Sequence, residues 1–141
     1  MMRHVALKRP VAVGAAAAAV AGAILLSSAH GEGTRMSQDA LLAAIEKADA
    51  PHILDVRTTG EYAAGHVPGA VHIPYHQLWR RHADLAAGKA DPIVVYCSHG
   101  PRAGMAKLQL WALGYENVVF LQGQMSGWKR EGLPMRTGRE P

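Results

Sequence analysis

Cysteine is nearly absent from this chain. Cys97 is the single cysteine in 141 residues, which excludes an internal disulfide, a cysteine-based zinc site and an iron–sulfur cluster. No second thiol is present to resolve a mixed disulfide, so a dithiol oxidoreductase working within one chain is also excluded. Charged residues make up only 18% against 49% hydrophobic, and that balance excludes intrinsic disorder. There is no internal repeat, and no low-complexity linker follows Ala29. The net charge of +4 invites a polyanion-binding reading until the charge is located. Of the 15 Lys and Arg, three (Arg3, Lys8 and Arg9) precede a long apolar stretch, leaving 12 against 11 Asp and Glu from residue 30 onward. The basic balance belongs mostly to the N-terminus, and nucleic acid is not an expected partner.

Acidic residues are missing from residues 1–29. Three basic residues come first, then Val11–Leu26 without a charge, then the small residues Ser27-Ser28-Ala29. This is the order of a secretory signal, so residues 1–29 are expected to direct export, most simply to a periplasm. The alternative is an uncleaved anchor holding the protein at the inner membrane and facing the periplasm, since Pro10–Ala29 is close to a bilayer span in length. Eight alanines and two glycines within Val11–Leu26 make that stretch weakly hydrophobic for a permanent span. A mitochondrial presequence would carry repeated arginines, and a bacterial lipoprotein would carry a cysteine after the apolar stretch. Residues 30–35 read as a polar tether.

Beyond the tether, three apolar runs are rich in β-branched residues and do not alternate with polar ones: Ile53–Val56, Ile93–Tyr96 and Val118–Leu121. Such runs suit strands covered on both faces, as in a parallel sheet. Val71–Ile73 is a weaker fourth strand, ended by Pro74. Ser37 is a candidate N-cap for a helix that places Leu41, Ala44, Ile45 and Ala48 on one face. Arg102–Leu113 reads as a helix closed by Gly114, with shorter helices expected at Tyr75–Leu85 and Gln124–Glu131. Strands alternating with helices give an α/β fold, and active sites in such folds lie beyond the carboxyl ends of the strands.

Cys97 occupies such a position. It follows the strand Ile93–Tyr96 and opens the loop Cys97-Ser98-His99-Gly100-Pro101-Arg102, which leads into the apolar helix. A helix N-terminus presents unpaired N–H groups and a positive dipole end. Gly100 lets the loop curl its N–H groups inward, Pro101 fits a first helical turn, and Arg102 adds a full positive charge. Together these favour the nucleophilic thiolate and would hold an anionic group at the sulfur. A small buried core residue is the bland alternative for Cys97; its place at a strand end in a Gly-Pro loop argues against it.

The loop resembles the active-site loop Cys-x-x-Gly-x-Arg of the rhodanese-like sulfurtransferase domain. A second stretch, Leu54-Asp55-Val56-Arg57 through Glu61-Tyr62-Ala63-Ala64-Gly65-His66-Val67-Pro68-Gly69-Ala70, is similar to another signature of that family. A third, Leu121-Gln122-Gly123 with Trp128, is similar to its Leu-x-Gly-Gly-x-x-x-Trp ending, except that Gln124 stands where a second glycine is usual. The resemblance covers residues 32–136. It implies a single domain with a central five-stranded parallel sheet flanked by helices on both faces, the first edge strand lying near Gly33–Met36. The implied activity is sulfane-sulfur transfer through a Cys97 persulfide, from a small-molecule donor such as thiosulfate to cyanide in the assay, to a thiol in the cell or to a protein sulfur acceptor. No cofactor is implied.

Residue roles follow from this chemistry. The N–H groups of residues 98–102 would cradle the outer sulfur, and Ser98 adds a hydroxyl. His99 either attracts anionic donors or faces solvent. Arg102 either anchors the loop or binds the donor's sulfonate. Asp55, inside an apolar strand, needs a partner. Arg57 and Glu61, four apart, are expected to pair. Asp55, Arg57 and Glu61 then either support the loop or form a purely structural ion-pair network. His66 is expected to hydrogen-bond a turn, Trp128 to lie in the core, and Trp79-Arg80-Arg81-His82 to form a solvated helix face. His72 and His76 have a helical spacing that Pro74 breaks, and no metal site is read from the eight histidines. Two rival functions remain. One is a non-catalytic sulfur-carrier or sulfide-sensing module built on the same cysteine. The other is a cysteine phosphatase, whose loop places five residues between Cys and Arg where this one has the four of Ser98–Pro101.

Overall fold

The computed structural model describes residues 34–141. The signal or anchor read in residues 1–29, and residues 30–33 of the tether, lie outside the described residues. Arg35, counted in the tether, belongs to the first strand. Among the described residues no helix is long and apolar enough to cross a membrane.

Five strands and five helices alternate: β1 (Arg35–Met36), α1 (Gln38–Glu46), β2 (His52–Asp55), α2 (Thr59–Ala64), β3 (Val71–His72), α3 (Leu78–Arg81), β4 (Ile93–Tyr96), α4 (Pro101–Ala112), β5 (Val118–Leu121) and α5 (Gln124–Arg130). A 3-10 turn at His82–Leu85 continues α3. The strands form one fully parallel sheet in the order β1-β5-β4-β2-β3. A parallel sheet must be covered twice, and successive side chains divide between the two faces. Leu54, Val56, Ile93, Val95, Cys97 and Val118 pack toward Leu78 of α3 and Ala103, Ala106 and Leu110 of α4. Ile53, Val94, Tyr96 and Leu121 pack toward Leu41 of α1, Tyr62 of α2 and Met125 and Trp128 of α5.

β4 and β5 have the bounds their apolar runs predict, while β2 begins one residue earlier and ends at Asp55. Ser37 caps α1 as expected, its hydroxyl accepting from the Ala40 N–H at 3.2 Å. α4 starts on Pro101 and runs to Ala112, with Gly114 at φ +88° just beyond it. α2 is an element that hydrophobic periodicity does not reveal. Its signature is a capping box: Thr58 Oγ1 accepts from the Glu61 N–H at 3.3 Å, and the Glu61 carboxylate accepts from the Thr58 N–H at 2.9 Å.

The order of strands places the functional segments side by side. The chain leaves β2 toward the edge at β3, then returns to β4 and moves the other way to β5. The carboxyl ends of β2 and β4 are therefore adjacent at the point where the connections diverge, the crevice in which α/β folds bind ligands.

Candidate active site

Cys97 is the first residue past β4. It keeps the strand's alternation, so its side chain turns toward α4 and is buried, with 1% of the residue exposed. The expectation that its position disfavours core packing is not met: the sulfur lies in the same apolar layer as Val95 and Ala103. What distinguishes it from an inert core thiol is the loop. Gly100 adopts φ +127°, a backbone conformation open to glycine, and donates its N–H to Cys97 Sγ at 3.0 Å. The N–H groups of Ser98, His99, Arg102 and Ala103 have no acceptor among the described residues. Pro101 contributes no N–H, so the turn into α4 carries four N–H groups without a described acceptor beside the one that meets the sulfur.

Arg102 does not reach outward. Its guanidinium makes a two-pronged pair with Glu61, Nη1 to Oε2 at 2.7 Å and Nη2 to Oε1 at 2.9 Å, and Nη2 also donates to Ser98 Oγ at 3.0 Å. Ser98 Oγ donates in turn to Glu61 Oε1 at 2.9 Å. Pairing with Glu61 raises the Arg102 pKa, and the nearby Cys97 adds to it. The same hydrogen bonds, led by that from Arg102 and joined by those from Thr58 and Ser98, hold the Glu61 carboxyl far below the usual range despite opposing burial.

This geometry corrects the expected Arg57–Glu61 pair. Arg57 turns back to Asp55, with Nη2 to Oδ2 at 2.6 Å and Nε to Oδ1 at 3.1 Å, and it also donates to the Gly65 carbonyl at 2.7 Å. Both residues are almost wholly buried. Burial opposes the Arg57 charge, but the hydrogen bond and charge of Asp55 outweigh it and raise its pKa. The three residues thus divide. Asp55 and Arg57 form a buried internal pair that ties β2 to the end of α2, while Glu61 is a direct partner of the loop. His66 lies at hydrogen-bond distance from the Tyr62 carbonyl, 2.9 Å, and its ring stacks on Tyr62 at 3.7 Å. Burial, helped by Asp55, pushes the Tyr62 phenol up to about 12, so it serves as a donor to the Ala70 carbonyl.

Folding below pH 4.5 tests the Glu61 clamp. A carboxyl whose pKa is lowered in the folded state stabilises fully above its unfolded value, here 4.5, and loses that contribution as pH falls. The difference in urea midpoint between the native chain and Glu61→Gln should be level above about pH 5 and shrink steadily below it. A difference that stays constant into acid would count against the clamp.

Gln124, noted in the sequence only as a departure from the usual glycine, proves to touch the loop. It adopts a left-handed backbone, at φ +55°, the region that favours glycine. Its amide Oε1 accepts from the Cys97 N–H at 2.9 Å, and its Nε2 donates to the Leu121 carbonyl at 2.8 Å. The Met125 and Ser126 N–H groups donate to the carbonyls of Cys97 and Ser98 at 3.0 and 3.1 Å. The β5–α5 turn is therefore bolted to the base of the loop. Gln124→Gly relieves about 1 kcal/mol of left-handed strain and loses a half-buried acceptor of comparable worth, so its net stability change is small. Gln124→Ala keeps the strain and loses the acceptor, and should be about 1–3 kcal/mol less stable than the native chain by urea unfolding.

A cysteine loop thus stands at the strand ends of a five-stranded parallel sheet, with the Gly100 N–H donating to its sulfur. Comparison with known proteins gives the class. The family model described as Rhodanese-like domain matches residues 37–131, and the chain belongs to that family. A protein named sulfurtransferase from Allochromatium vinosum is 35% identical over 83 residues, covering 59% of this chain and 76% of that protein. Thiosulfate sulfurtransferase PspE from Escherichia coli is 39% identical over 69 residues, covering 49% of this chain and 66% of that protein. The chain spans about half or less of some other curated relatives. Among solved structures, the Alr3790 protein from Anabaena sp. superposes with a TM-score of 0.65 at 30% identity, covering 72% of this chain and 91% of that one. The chain is thus of a sulfurtransferase family, and its five-stranded sheet with helices on both faces is the family's fold.

Proposed function

We propose that the protein transfers sulfane sulfur from thiosulfate or a like donor to a thiophilic acceptor through a persulfide on Cys97. The Cys97 thiolate attacks the outer sulfur of thiosulfate, the bond to the sulfonate sulfur breaks, and sulfite leaves with the electron pair. A nucleophilic acceptor then attacks the outer sulfur of the persulfide and the pair returns to Sγ. This is two-step covalent catalysis. The observation that carries the reading is the Gly100 N–H directed at Sγ within a loop whose neighbouring N–H groups are uncommitted, which suits the negative charge of a terminal persulfide sulfur. Arg102 supports it by pairing in two-pronged fashion with Glu61 and bonding Ser98, since a phosphatase would need that guanidinium for its phosphate. The relatives named thiosulfate sulfurtransferase support the donor. The basic, apolar, small-residue order of residues 1–29 supports export to a periplasm.

Intact mass spectrometry tests the reading. After thiosulfate, the chain should gain one sulfur atom on Cys97; after cyanide it should lose that atom as thiocyanate. A chain that gains nothing from thiosulfate or from other persulfide donors would sink the proposal. A chain that loads but discharges to no small acceptor would instead be a carrier, a role that the burial of Cys97 also suits.

A further inference from the structure

Beside the loop lies a cleft of about 370 Å³ lined by Arg35, His99, Gly100, Phe120 and the turn Leu121–Gln124. Two of its lining residues touch Cys97: the Gly100 N–H donates to Sγ, and Gln124 Oε1 accepts from the Cys97 N–H. No carboxylate is among the described residues that line it. Arg35 is exposed and makes no ion pair among the described residues. The Lys107 ammonium stands 4.9 Å from the centre of the Phe120 ring, adding positive charge on the same side. A cleft of this volume is at the small end of pockets that hold organic ligands, roughly 300–1,000 Å³, and its charge selects an anion.

We propose that this cleft is a subsite for the carboxylate of a low-mass thiol that accepts the sulfur, with Arg35 as its anchor; the proposal rests on the sulfur-transfer reading above. Size decides between acceptor and donor. Arg35 stands on β1, level with Phe120 of β5 and through it with Val95 of β4. At about 370 Å³ the cleft is in the range of organic-ligand pockets, far more room than a small inorganic donor such as thiosulfate fills. A thiol that carries its carboxylate on a carbon framework uses that room. The planar fork of an arginine is suited to hold that carboxylate by two hydrogen bonds. The acceptor thiolate then attacks the outer sulfur of the persulfide, the bond to Sγ breaks with its pair returning to Sγ, and the acceptor leaves as its own persulfide. No outside oxidant or reductant is needed.

The test uses the full chain loaded from thiosulfate and mixed with mercaptosuccinate, 2-mercaptoethanol or cyanide, with loss of the extra sulfur followed by rapid-quench mass spectrometry. Arg35→Ala should slow discharge to mercaptosuccinate about tenfold more than discharge to the two acceptors without a carboxylate. Arg35→Lys should recover part of that difference. Equal effects on all three acceptors, or no effect on any, would overturn the subsite. So would a native chain that loads and discharges to cyanide but shows no preference for mercaptosuccinate over 2-mercaptoethanol, with sulfur transfer left standing. A native chain that never loads overturns both readings.

Discussion

Cys97→Ser should hold no extra sulfur after thiosulfate and should lose at least about 10³-fold in turnover, the scale of removing a nucleophile. The fold should survive. Serine is close in size, and its hydroxyl gives the Gly100 N–H an acceptor in place of Sγ. A cost of about 1 kcal/mol is expected for placing a hydroxyl in the apolar layer shared with Val95 and Ala103. Thermal unfolding of Cys97→Ser and Cys97→Ala beside their turnover separates the two effects. Substantial residual turnover in either variant would remove Cys97 from the nucleophile's role.

The second large effect is expected at Arg102. Its guanidinium is held by Glu61 and Ser98, so it is expected to act by fixing the loop. Arg102→Ala releases Ser98 and leaves the Glu61 carboxylate with only its Thr58 and Ser98 partners. Displacing a reacting group by an ångström costs about 10²-fold in rate, and a loss of that order is expected with thiosulfate and with an uncharged persulfide donor alike. A loss confined to thiosulfate would mean that Arg102 leaves Glu61 to bind the sulfonate in the working complex.

Legibility in the sequence followed the range of the forces. β4 and β5 could be read at their bounds because four consecutive apolar residues, covered on both faces, have few other uses. The loop from Cys97 to Arg102 was legible because its parts are adjacent in the chain. The partner of Glu61 was not. Arg57 is four residues from Glu61, but that spacing brings side chains together only inside a helix, and α2 begins after Arg57. Asp55, two residues back on β2, is closer to Arg57, whereas Arg102 meets Glu61 from 41 residues away because β2 and β4 are neighbours. Gln124 could be seen to depart from the usual glycine. Its reach to the Cys97 N–H depends on the pairing of β4 with β5, which no local pattern encodes. The Thr58-x-x-Glu61 box was in plain view and would have located α2.

Glu61 is at once the third residue of a short helix and the partner of Arg102 and Ser98 in the Cys97 loop. A six-residue helix is marginal by itself, and this one starts on the exposed residues 58–60. When the first turn of α2 opens, Glu61 leaves Arg102 and Ser98 in the same event, so helix fraying and loop loosening share one opening free energy. Linkage makes the relation reciprocal. A ligand that holds the loop closed is therefore expected to slow the exchange of α2 amides with solvent, and the proposed persulfide on Cys97 should be readable from that distance.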